Sequence, residues 1–599
     1  MEVKERKEMD PQYMWDLSTL FSSDEEFEEA LKQADELIGQ MKVFQGTLHD
    51  AESILACLKK ECEVSRKIAD LYSYGFLRKT EDTRNTKAQT MFSAAYAEMV
   101  SLQTVTAYIQ PEILACDDET LATIITDPVL KEFRFMLENM VGEKEHMLSE
   151  KEEALLASLG EVFAVPEQAA GALMDADMTF AAAADQEGKE HEISQSTYIL
   201  TQTSDDRVLR KNAFESYYAE FTKHINTLTS LYSGYIKGAV AESRMRGYAS
   251  SRNMRMDGDH IPVCVYDNLI ETVHSRMDLM HRYVAFRKKM LKLDEVHYYD
   301  VYAPLIKGKG ASYSYQQAMD MVIEAVNPLG EEYVSRVRQA FADHWVDVWP
   351  NKGKEGGAFS EGTYDSNPFI KMNYTGTLDS VSTLAHEMGH SQHTWLTNHK
   401  QPYQYSHYTM FVAEVASTVN ENLLIEQMLK QETDSMERLR LLNQYMEGFK
   451  GTVYRQTMFA EFEKEAHAMY EAGQPLTCDL LNALYERLIR EYFGDELVVD
   501  EQVKYEWARI PHFYYLFYVY VYATGYCSAA AISQNILNHE EGAVENYLKF
   551  LSMGSSAYPL DELKVAGVDL TTPQPIDIAL DKFASVLDEA EKIAEELGL

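Results

Sequence analysis

Five consecutive residues, His386-Glu387-Met388-Gly389-His390, have the types and spacing of a metal site with a base beside it. Histidines four apart on a helix stand one turn above each other, so two imidazole nitrogens can meet one tetrahedral ion. Glu387 falls next to the pair and can reach a water on that ion without ligating it. Zinc suits two imidazoles and a carboxylate, has no redox side chemistry and lowers the pKa of its water toward about 7. One Zn2+ per chain is expected, bound through His386 and His390. The chemistry requires a helix, and Val381, Leu384, Ala385 and Met388 supply its apolar face, with Asp379 as the expected N-cap.

A reactive site also needs a third protein ligand and an open fourth position. A longer three-histidine pattern would require Gly at 393 and His at 396, where His393 and Leu396 stand. No Asp or Glu occurs from Ser391 to Ala413, so Glu414 is the first carboxylate downstream and the expected third ligand. Its segment, Phe411-Val412-Ala413-Glu414-Val415-Ala416-Ser417-Thr418, reads as the start of a second helix. His393, His399 and His407 are rival ligands. Glu421 lies seven residues after Glu414 on the same face and is placed to hydrogen-bond a ligating imidazole; a solvated acidic face is the alternative. Hydrolysis at such a centre needs donors for an oxyanion. Arg509-Ile510-Pro511-His512 and the tyrosines after it offer them. Pro511 suits a first helical turn, and at about 100° per residue Tyr515, Tyr522 and Tyr526 share a face with His512, whereas Tyr514 and Tyr520 point elsewhere. Core packing is the competing reading of that stripe.

The elements around these residues are mostly helical. Ser23-Asp24-Glu25-Glu26 has capping-box spacing, and Phe27, Leu31, Ala34, Ile38 and Met41 follow at helical intervals. Between Met178 and Ser204 the texture changes to a Thr/Phe segment, a turn at Gln186-Glu187-Gly188-Lys189, and a Ser/Thr/Tyr/Ile stretch, Ser194 to Thr203, that predicts β structure. A boundary there divides the chain into an N-terminal helical lobe, 1–190, and a lobe of residues 191–599. Turn residues at 350–357 then precede two short strands, Ala358 to Ser360 and Pro368 to Tyr374. The expected fold is mainly α, with small β elements just ahead of the metal helix.

With 599 residues, 46% apolar and 25% charged, the chain can bury a large core. Its 55 Lys and Arg against 96 Asp and Glu give −41, which repels phosphate backbones and anionic lipid, so neither nucleic acid nor membrane is an expected partner. Six scattered cysteines and a charged, non-apolar start point to a reducing, cytoplasmic setting. Phe513 to Ile532 is uncharged, but its six tyrosines need partners that hydrocarbon cannot offer, so it reads as a buried or cleft-lining helix.

The metal helix with His393, the segment Phe411 to Glu421, the late Ile510-Pro511-His512-Phe513-Tyr514-Tyr515, and Gly357-Ala358-Phe359-Ser360 with Asn373-Tyr374 resemble the oligoendopeptidase F branch of the thimet-oligopeptidase-like zinc metallopeptidases. The likeness spans about residues 200 to 585, and the N-terminal lobe resembles that family's lid or regulatory lobe. The resemblance implies a two-lobed helical zincin-type fold with a deep central channel, cleaving internal bonds of short to medium oligopeptides. It implies His386, His390 and Glu414 as zinc ligands, Glu387 as the catalytic carboxylate and His512 as a transition-state histidine. Tyr515 and Tyr522 are the tyrosines carried over, with Tyr520 still open, and Gly357, Ala358, Phe359 and Ser360 would bind substrate by strand addition. An exopeptidase with the same zinc chemistry, or a non-catalytic peptide-binding protein, are the competing functions.

Overall fold

A computed structural model describes residues 3–308 and 310–599. Helix accounts for 71% of the structure and strands are few and short, in keeping with the mainly α expectation. Nine helices, in chain order, carry the argument: α1 (Asp24–Gly39), α2 (Ala51–Glu81), α3 (Thr86–Thr106), α4 (Gln195–Gln202), α5 (Arg207–Met245), α6 (Leu378–Lys400), α7 (Met410–Gln431), α8 (Arg455–Glu471) and α9 (Tyr520–Leu537). The strands are β1 (Ala183–Ala184), β2 (Glu190–His191), β3 (Val296–His297), β4 (Val346–Asp347), β5 (Phe359–Glu361), β6 (Phe369–Lys371) and β7 (Leu497–Val498).

Local chemistry sets several boundaries. Ser23 caps α1 by accepting from the Glu26 N–H, while the Glu26 carboxylate accepts from the Ser22 N–H at 2.8 Å, one residue before the expected reciprocal partner. β1 and β2 form an antiparallel hairpin around the turn at 186–189. Ser194 to Thr203 is not β structure. Ser194 accepts from the Thr197 N–H and its own N–H donates to Thr197 Oγ1 at 2.7 Å, so the hydroxyl cluster starts α4.

The described chain forms two compact units, each of three segments: Met1–Glu145, Ala311–Gln427 and Ile532–Gly567; and His146–Gly310, Met428–Ala531 and Val568–Leu599. This partition differs from a single break near residue 190. In the first unit, α1 to α3 build a core that includes Phe369 of β6, with Trp15 edge-on to that ring at 6.4 Å and Phe76 against Phe359 at 5.2 Å. Burial of those rings ties the N-terminal helices to the segment that carries α6. In the second unit, the β1–β2 hairpin is fastened to α5, where Asn212 Nδ2 donates to the Ala184 carbonyl at 2.7 Å.

Within the first unit β4, β6 and β5 form a three-stranded sheet, β4 parallel and β5 antiparallel to the central β6. β6 is buried throughout, and its Lys371 ammonium donates to the Glu355 and Gly356 carbonyls at 3.0 and 2.8 Å. β5 is an edge, paired on one side only among the described residues. Helix α6 follows. Its N-cap is Thr377, not Asp379: Thr377 Oγ1 accepts from the Ser380 N–H at 3.2 Å, and Asp379 sits in the first turn, where its charge suits the helix dipole. At the far end Thr397 Oγ1 donates to the Leu551 carbonyl at 3.1 Å and Gln401 Nε2 to the Ser552 carbonyl at 2.8 Å.

Candidate metal centre and active-site residues

His386 and His390 project from one face of α6 with their Nε2 atoms 3.2 Å apart. Glu414 reaches them from the first turns of α7, its Oε2 lying 3.3 Å from His386 Nε2 and 3.5 Å from His390 Nε2. Donors around a tetrahedral zinc at roughly 2.0–2.1 Å stand roughly 3.3 Å from one another, so the three atoms have the spacing a single ion requires. Two neutral-capable imidazoles and one carboxylate also match the donor types of an open zinc site. The residues fit the metal.

Gly389 explains how two helices come close enough for this. A Cβ there would lie 2.6 Å from the Ala416 carbonyl oxygen and 2.6 Å from Ser417 Cα, so α6 and α7 touch backbone to backbone between the two histidines and Glu414. Asn420 reinforces the contact, donating to the Ala385 carbonyl at 3.1 Å and accepting from the Tyr333 hydroxyl. Ser417 donates to Glu414 Oε2 at 3.0 Å and so orients the carboxylate. His386 Nδ1 donates to Glu421, which leaves the Nε2 lone pair turned toward the other donors.

Electrostatics favour a cation here. Burial would lower the His386 pKa, yet its bonds to Glu414 and Glu421 overcome that and raise it to about 10. Glu414, against its own burial, is held well below the usual carboxylate range by the two histidines. Glu387 is buried, 6% exposed, and burial pushes its pKa up; Glu414 and Glu421 add to that rise, while the histidines oppose it. A carboxylate with a raised pKa beside a metal site is suited to carry a proton in both directions. Glu387, His386 and Glu421 line an open cavity of about 310 Å³, with Ala358 on its wall. Ser360 of β5 shares a hydrogen bond of 2.8 Å with Ser391 of α6, fixing the strand to the helix.

The rival ligands lie elsewhere. His393 is buried and stacked on Tyr408 with ring centroids 3.8 Å apart, and burial pulls its pKa down to about 3. His399 Nδ1 bonds the Trp395 carbonyl, and His407 packs beside Tyr403. Neither is among the grouped donors.

His512, Tyr515 and Tyr522 belong to the second unit. The continuous helix from Pro511 does not form: Pro511–Tyr514 is a short 3-10 turn, residues 515–519 are irregular, and α9 begins at Tyr520. Tyr522 still meets His512, hydroxyl to Nε2 at 3.4 Å, and Tyr515 packs edge-on to the imidazole at 5.9 Å. The break brings in Tyr518, which helical counting missed; its ring lies 5.2 Å from Tyr522 and stacks near His512 at 6.5 Å. Tyr526, expected on the same face, instead packs on Phe449 at 5.0 Å. Tyr520 is 2% exposed and packs against Tyr266.

Residues 200–582 match peptidase family M3, and residues 112–180 match oligopeptidase F. Oligopeptidase PepF of Bacillus subtilis is 42% identical over 594 residues, 99% of this chain and 89% of the relative. Group B oligopeptidase PepB of Streptococcus agalactiae is 37% identical over 98% of both chains. The crystal structure of oligoendopeptidase-F from Enterococcus faecium superposes with a TM-score of 0.74 at 33% identity, covering 96% of this chain and 99% of that one. The chain belongs to peptidase family M3, a family of metallopeptidases. Among the described residues no helix is long and apolar enough to cross a membrane, and the six cysteines are unpaired.

Proposed function

We propose that the protein is a cytoplasmic, zinc-dependent endopeptidase that hydrolyses internal bonds of short to medium oligopeptides. The observation that carries the reading is the trio His386, His390 and Glu414, spaced for one ion, with Glu387 beside it in an open cavity. The relatives' names, oligopeptidase and oligoendopeptidase, support peptides as substrates.

Zinc held by His386, His390 and Glu414 would supply Lewis acidity, lowering the pKa of a water and polarising a carbonyl. Glu387 takes the proton of the attacking water and delivers it to the leaving nitrogen, the two halves of general acid–base catalysis. Glu421 keeps His386 in the tautomer that presents Nε2. The unpaired edge of β5, with Gly357, Ala358, Phe359 and Ser360, offers backbone groups to an extended peptide. His512, Tyr515 and Tyr522 donate to the oxyanion, and Tyr518 joins them because it shares their ring cluster. Under the same proposal residues 1–190 limit access to the site and residues 191–599 supply its catalytic groups.

Cleavage of fluorogenic peptides of graded length, some with blocked ends, tests this before and after chelation. Blocked peptides should be cut, activity should vanish on chelation and equimolar zinc should restore it. Chelation without effect would remove the metal from the reaction; cleavage of free-ended peptides alone would make the enzyme an exopeptidase.

A further inference from the structure

From the 3-10 turn at Pro511–Tyr514 to α9, Phe513, Phe517 and Val519 are buried at 1%, 1% and 0% exposure, whereas Tyr515 faces outward and His512 and Tyr518 are half-buried. The buried residues are anchors that set where the outward rings point. One anchor is strained. Phe517 has a φ of 45°, in the left-handed region that bulky residues rarely adopt and that persists only where the surroundings enforce it.

The enforcing groups lie on α8. Glu463 Oε1 accepts from the Phe517 N–H at 2.7 Å. One turn on, His467 packs against the Phe517 ring with centroids 4.6 Å apart, and His467 is itself fixed by Ser251, whose hydroxyl lies 2.8 Å from His467 Nδ1 and donates to Glu471 at 2.8 Å. Residues 463, 467 and 471 recur every four positions, so one face of α8 holds the turn. Glu463 is fully buried and its second oxygen has no hydrogen-bond partner, a costly arrangement that simple core packing does not require.

We propose that Glu463 is a positioning residue: through the Phe517 N–H it locks the 515–519 turn and thereby sets the rings of His512, Tyr515, Tyr518 and Tyr522. The role rests on the reading above that His512 and the tyrosines assist the reaction. It also explains a break in helix that no proline or glycine in 512–520 causes.

Steady-state kinetics with zinc-loaded full-length enzyme test the assignment. Glu463→Met removes the acceptor at similar volume and should lower kcat by about 10²-fold, as small misplacements of reacting groups do, with KM nearly unchanged. Glu463→Gln keeps a carbonyl acceptor and should recover most of that rate. Combined with His512→Ala, the Glu463→Met loss should fall well short of multiplying, because both act through one cluster. A slow His512→Ala enzyme beside a fast Glu463→Met enzyme, or losses that multiply fully, overturn the positioning role alone. A fast His512→Ala enzyme overturns the reading beneath it. Glu463→Asp, which withdraws the acceptor from the Phe517 N–H by one methylene at the same charge, should reproduce most of the kcat loss; at parental kcat it would refute the proposal even if Glu463→Met did not fold.

Discussion

Substituting Gly389 by Ala perturbs the metal centre without touching a ligand. The added Cβ would meet backbone at 2.6 Å, and ordinary contact begins at 3.4 Å, so the helices must separate locally by 3.4 − 2.6 = 0.8 Å. The displaced backbone is that of Ala416 and Ser417, two and three residues from Glu414, while His390 adjoins the substitution itself. The Glu414 Oε2 distances to His386 and His390, now 3.3 and 3.5 Å, would spread toward about 4 Å, beyond the ±0.2 Å tolerance of metal–ligand bonds. Alanine gains about 1 kcal/mol over glycine in helix propensity, against an overpacking cost of about 1–3 kcal/mol. We therefore expect a net loss of metal-free stability of up to about 2 kcal/mol, and zinc affinity weaker by about 10- to 100-fold, the range seen when a ligand's support is disturbed. Competition with a chromogenic chelator measures the affinity, and thermal unfolding of metal-free protein measures the stability. A Gly389→Ala protein that binds zinc as tightly as the parent and melts no lower would refute the claim that helix contact sets the ligand spacing.

Three further outcomes are expected. Glu387→Gln should keep stoichiometric zinc while kcat falls by about 10²–10⁴-fold, the span of general base catalysis; parental turnover would deny Glu387 that role. Glu421→Ala should weaken zinc binding by about 10- to 100-fold through loss of the His386 Nδ1 partner, and unchanged chelator competition would show that the bond does not support the metal. Glu562 is 2% exposed, and burial raises its pKa to about 8, against an opposing backbone hydrogen bond from Ala557. The folded state thus keeps a proton that the unfolded chain releases near 4.5, so this group's contribution to stability is full below about 4.5 and declines until about pH 8. Glu562→Gln should melt progressively higher than the parent across that window, by at most about 1.4 kcal/mol per pH unit; parallel melting curves from pH 5 to 8 would contradict it.

The grouping of His386, His390 and Glu414 was readable because its geometry is local. Four-residue spacing fixes His386 against His390 on any helix, and the absence of other carboxylates before residue 414 left one acidic candidate. The paired strands β5 and β6 were marked by turn residues on either side. The tyrosine segment was not readable in the same way, because nothing in its composition interrupts a helix; Phe517 is forced out of helical geometry by Glu463 on α8, a tertiary contact that periodicity cannot register. Hence Tyr526 was expected where Tyr518 stands. Ser194 to Thr203 misled for another reason: hydroxyl side chains serve caps and strands alike, and here the capping bonds win. The joining of residues 1–145 with 311–427 depends on rings such as Trp15 and Phe369, more than 350 positions apart, which no local pattern links.

The fastening of Thr397 and Gln401 to Leu551 and Ser552 has a consequence for biosynthesis. A ribosome delivers α6 some 150 residues before the segment that anchors its C-terminal end, so a nascent chain displays both histidines on a helix whose last turn is still untethered. Such late closure, characteristic of long-range topologies, delays the tethering of α6 until residues 551 and 552 have been translated.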